Sequence, residues 1–106
     1  MPNSSEGQKF QKEEAEILAR KMLAAEPENP DVLNGLGLIL MAQGHFSEAS
    51  PQFRRALDRV SDSFEYKENF MRALVACARL SVKAGDYPEA IQALRSAVEE
   101  SPERLD

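Results

Sequence analysis

Apolar residues in this chain recur at intervals of three and four, the spacing that lines one face of a helix. The first stripe is Ala15, Leu18, Ala19, Met22 and Leu23, which predicts a helix over about 12–26. "EPENP" then stops it, because Pro30 disfavours helical geometry at Asn29. A second helix is expected over 30–43, with Asn29 as cap, Pro30 at the first position and Asp31 at the positive end of the dipole. Gly44 suits a left-handed stop. A third helix, over 46–60, sets Phe46, Ala49, Phe53, Ala56 and Leu57 on one face, with Pro51 within its first turn or so, where proline costs least. "SDS" at 61–63 is the next break. A long helix over 64–84 runs to Gly85. The last, over 87–100, opens on Asp86 with Glu89 three residues on, a capping-box pattern. It is expected to turn Ala90, Ile91, Leu94, Ala97 and Val98 inward. Ser101-Pro102-Glu103 resembles the opening of one more helix. Residues 1–11 are mostly polar apart from Phe10 and read as a flexible tail ahead of a single domain over 12–106.

Connections of two to four residues between these helices force sequential neighbours to pack antiparallel. The fold class is therefore all-α, about five helices in hairpins. Composition agrees: the 106 residues include no Trp, and Ala, Leu, Glu, Arg, Lys and Gln, the good helix formers, dominate.

The chain also repeats itself. "AQGHFSEA" (42–49) and "KAGDYPEA" (83–90) align at an offset of 41 residues, Gly44 on Gly85. Upstream, Leu33, Leu36, Gly37 and Leu40 match Leu74, Cys77, Ala78 and Ser81. Downstream, Phe53, Ala56 and Leu57 match Leu94, Ala97 and Val98. The small residues at Gly37/Ala78, Ala49/Ala90 and Ala56/Ala97 fall where two helix backbones would approach closely.

"GHFSEASPQFRRAL" and "GDYPEAIQALRSAV" resemble the tetratricopeptide repeat. Leu33, Leu36-Gly37, Leu40, Gly44-His45-Phe46, Ala49, Phe53 and Ala56 follow its pattern, as do Leu74, Cys77-Ala78, Gly85-Asp86-Tyr87, Ala90, Leu94, Ala97 and Pro102. "AEILARKMLAAEPENP" is similar to the second helix of a preceding copy. The offset exceeds the usual repeat of about 34 residues, and the surplus falls in "SDSFEYK". The resemblance implies antiparallel hairpins stacked in a right-handed superhelix and a protein-binding, non-catalytic role.

Charge and chemistry narrow the function further. A net charge of −5 disfavours nucleic acid, and the longest apolar run, Leu36–Ala42, is too short to span a bilayer. The polar N-terminus lacks the apolar stretch of a signal peptide, and a single cysteine makes no internal disulfide; a cytoplasmic setting is expected. His45 reads as an exposed turn residue and Cys77 as a buried small hydrophobe; no His/Cys cluster suggests a metal, and no cofactor is expected. "GLGLIL" lacks the phosphate-loop spacing. "KEEAE" and "VEES" read as solvated faces. No catalytic constellation is apparent.

The resemblance places a concave binding surface on the first helix of each pair. The residues it assigns there include Asn34, Gly35, Leu38 and Met41 from one copy and Arg72, Val75, Arg79, Val82 and Lys83 from the other. The family's carboxylate clamp uses Lys and Asn at set positions; Asn34 and Leu38 occupy the first two of them, so that clamp is absent. The expected partner is another protein, a peptide or amphipathic helix with apolar anchors and acidic flanks. The alternative is that the apolar surface is buried in a homodimer. Neither a nucleic acid nor a membrane is expected as partner.

Overall fold

The computed structural model describes residues 4–100, and these form five helices: α1 Ser4–Ala25, α2 Pro30–Ala42, α3 Phe46–Arg59, α4 Phe64–Ala84 and α5 Tyr87–Glu100. Each packs on the next in chain order, and α2 also touches α4. The packing of α3 on α4, with the smaller α2–α4 contact, joins two hairpins, α2–α3 and α4–α5, into one stack with α1 on its flank.

The helix ends form for local reasons. Asn29 Oδ1 accepts from the N–H groups of Asp31 and Val32 at 3.0 and 3.5 Å, with Pro30 next to it at the first helical position. Ser63 Oγ accepts from Tyr66 N–H at 3.2 Å, and Asp86 Oδ1 from Glu89 N–H at 3.2 Å. The two glycine stops are alike. Gly44 and Gly85 have φ of 81° and 76°, and the next residue donates back to the helix, His45 to Leu40 and Asp86 to Ser81, each at 2.8 Å. That return bond occupies the Asp86 N–H, so Asp86 and Glu89 form half a capping box, not a reciprocal pair.

Three expectations need correction. α1 starts at Ser4, not near Lys12, so residues 4–11 are helix and not an irregular tail. Extending a formed helix costs little once Ala19 and Leu23 are packed against the core and Lys12 Nζ donates to the Ala42 carbonyl at 3.1 Å. Pro51 lies in the second turn of α3, where it removes the bond to the Ser47 carbonyl. Ile91, Leu94 and Val98, expected to turn inward, are each about half exposed, as are Leu18 and Met22 of the first stripe. On α5 the alanines at 90, 93 and 97 do the packing, because small side chains let α5 lie close against α4. The expected sixth helix opening at Ser101 lies outside the described residues.

The core is centred on α2, α3 and α4. Leu33, Leu36, Leu40 and Phe53 are its largest fully enclosed side chains, joined by Phe70, Met71, Leu74 and Cys77. Gly37 faces the Phe53 ring so closely that an added Cβ would lie 2.5 Å from Phe53 Cε1. Gly35 has no heavy atom within 4 Å of the same position.

The surplus length of the repeat is visible in α4. By the 41-residue offset the start of α2, Pro30, corresponds to Met71, yet α4 begins at Phe64. Residues 64–70 are about two extra turns at the N-terminus of α4. They reach back to α2: the Tyr66 hydroxyl donates to Asp31 Oδ1 at 2.5 Å, and Asn69 Nδ2 donates to Asn34 Oδ1 at 2.9 Å. A longer contact, 3.5 Å, joins Asn34 Nδ2 to Glu65 Oε1. Both asparagines are buried, and each meets the other's amide instead of lying unpaired in the core.

Candidate protein-binding face

The face expected to bind is built by α2 and α4, whose mutual contact fixes their spacing. Leu38 on α2 and Val75 and Val82 on α4 are exposed, between 42 and 49%. Arg72, Arg79 and Lys83, also exposed, are spaced along α4 on the same side as the two valines. Met41 is half-buried and packs against the core, so it contributes less open surface than its helix position implied. Gly35 is half-buried with open space over its Cα. A shallow depression of about 390 Å³ is lined by Glu68, Met71, Arg72, Val75, Ala76 and Arg79. All of these belong to α4; Leu38 and Met41 are not on its wall.

Asn34 departs from expectation. Its side chain is buried and committed to Asn69 and Glu65, so it ties α2 to α4 and is not free to meet a ligand. Sequence reasoning missed Tyr66 and Asn69 because they sit in the extension that has no counterpart in the first copy. The available signal was the surplus itself: a helix longer than its repeat at one end carries groups that must go somewhere.

The other titratable groups have local explanations. Burial pushes the Tyr66 phenol up to about 12, and its bond to the Asp31 carboxylate adds to the shift. Burial also raises the Cys77 thiol, aided by the Glu89 charge, which keeps it protonated and unreactive. Arg20, bonded to Glu16 at 2.8 Å, lowers the Glu16 carboxyl. His45 is the residue before α3, and its side chain makes no capping bond. It borders a hollow of about 460 Å³ between the two glycine turns, walled by Phe46, Cys77, Leu80 and Glu89 among others, which the sequence did not suggest. Among the described residues, no three His, Cys, Asp or Glu side chains group as metal ligands, and no helix is long and apolar enough to cross a membrane.

Two antiparallel hairpins related by a fixed sequence offset, stacked with α3 against α4 and α2 touching α4, define a helical-repeat protein. A family profile described as tetratricopeptide repeat matches residues 11–63 and again 34–104, spanning all five helices between them. The chain belongs to the tetratricopeptide repeat family. Such repeats generally mediate protein–protein interaction and are generally non-catalytic. No curated protein matches the sequence.

Proposed function

We propose that this chain is a non-catalytic scaffold that binds a peptide or amphipathic helix of another protein across α2 and α4. The observation that carries the reading is an apolar strip, Leu38, Val75 and Val82, bordered by three cations in a protein of net charge −5. Apolar anchors of the partner meet the strip, Gly35 leaves room for close approach, and Arg72, Arg79 and Lys83 meet acidic flanks. Asn34 and Met41 support this surface from below. A cytoplasmic setting fits the single, buried cysteine.

The test uses a labelled amphipathic helical peptide with Leu anchors and Glu flanks, followed by fluorescence anisotropy. Arg72→Glu with Arg79→Glu is expected to weaken binding at least tenfold and leave Tm unchanged. Equal affinity for the wild-type and double-variant chains would remove the groove as the binding site.

Self-association is the second reading. It is favoured by a different observation: large apolar side chains stand exposed on both α1 and α5, at opposite ends of the stack.

A further inference from the structure

The repeat itself indicates what the exposed face of α5 is built to receive. By the 41-residue offset, Tyr87, Ile91, Leu94 and Val98 correspond to Phe46, Ser50, Phe53 and Leu57 of α3. On α3 this stripe faces a core shared with α2 and α4: the Phe53 ring lies against Gly37 of α2, and Phe53 and Leu57 are 0 and 5% exposed. On α5 the four equivalents are 46–60% exposed. A stripe spaced four, three and four residues is a helix-packing seam, and the chain shows it filled once and bare once.

A second bare seam lies at the other end. Leu18 and Met22 of α1 are 54 and 55% exposed, and with Ala15 and Ala25 they make a stripe of the same alternating spacing. Resting on the self-association reading, we propose that the chain associates end to end, the α5 seam of one copy receiving the α1 seam of the next. Laid parallel, Ile91, Leu94 and Val98 abut Ala15, Leu18 and Met22 of the second copy. In that register Arg95, on the solvent edge of α5, stands opposite Glu14 of the second copy. Both are exposed, and neither makes an ion pair among the described residues. Pairing α5 with α5 instead leaves the α1 seam in water, whereas the end-to-end contact covers both seams with one interface.

Two blocked chains test this. Ile91→Glu with Leu94→Glu closes the α5 seam; Leu18→Glu with Met22→Glu closes the α1 seam. Molar mass is read by light scattering across a hundredfold dilution, with helicity and Tm confirming that each chain is folded. The wild type is expected to gain mass with concentration beyond the dimer, as an open heterologous contact does. Each blocked chain alone stays monomeric, and an equimolar mixture forms a dimer and stops there. Dimerisation of the α1-blocked chain by itself would overturn the end-to-end geometry while leaving self-association standing, through α5 on α5. A wild type that is monomeric throughout overturns both and leaves the groove reading untouched. If a double variant fails to fold, Arg95→Glu and Glu14→Arg serve instead: each weakens association alone, and mixing them restores it. Failure of the mixture to recover counts against the register.

Discussion

Phe53 and Leu57 of α3 are sealed in the core, whereas Leu94 and Val98, their counterparts in the second copy, stand half in water. The two helices share a glycine stop before them, an aromatic at the start and alanines at matching places. Their own sequences do not separate them. Position in the stack does: α3 has a helix on either side, α2 and α4, while among the described residues α5 packs only on α4. A repeat face is a core or a binding surface according to its neighbour, and the same side chains serve for both.

The comparison predicts unequal costs. Phe53→Ala should destabilise the fold by about 3–5 kcal/mol, since it removes an enclosed aromatic and leaves a cavity. Leu94→Ala, at the matching position, should cost less than about 1 kcal/mol, as an exposed substitution does. Urea unfolding of the two variants below the association range measures both. Equal costs would mean that α5 is covered in solution.

The next largest difference concerns the two glycines of α2. An added methyl at Gly37 meets the Phe53 ring, so Gly37→Ala should cost about 1–3 kcal/mol of overpacking. Ala78, its counterpart on α4, shows that the second hairpin accommodates that methyl at the same place. The first does not because Phe53, with Leu94 as its equivalent, fills the space.

The α4 extension sharpens the comparison through pH, because it ties α2 to α4 and has no counterpart in the first copy. Tyr66 is raised from 10.0 to about 12 in the folded chain, so folding disfavours its ionisation. Its contribution is complete below pH 10 and is lost as the pH climbs towards 12. Stability measured from pH 9 to 12 should fall more steeply for the wild type than for Tyr66→Phe. Parallel curves would mean that the Asp31 contact contributes nothing. The smallest effect is a gain: Gly35→Ala meets open space and should stabilise α2 by about 0.5–1 kcal/mol, read as a rise in Tm. The same variant should lower affinity for the groove peptide if close approach at Gly35 matters.

Much of this was legible in the residues. Asn29, Pro30, Gly44, Ser63 and Gly85 mark helix ends by backbone chemistry that acts within a few residues, and the structure has them where local rules put them. Gly37 was legible as a close approach because its counterpart is also small. The orientation of Ile91, Leu94 and Val98 was not. Apolar spacing reports that a stripe exists; it does not report whether another helix lies against it. Asn34 departed from expectation for a related reason: the family resemblance assigns it to the concave side, but the group that captures it, Asn69, is 35 residues away on the extended end of α4.

By itself the sequence determined the number of helices, most of their ends, the hairpin pairing and the membership of the family, because capping, proline geometry and short connections operate locally. Only the tertiary structure decided which apolar faces are interior. It showed Leu57 enclosed and Val98 open, Asn34 bonded across helices and Leu38 free. Burial is a relation between a side chain and whatever packs on it, and no single stretch of chain contains both.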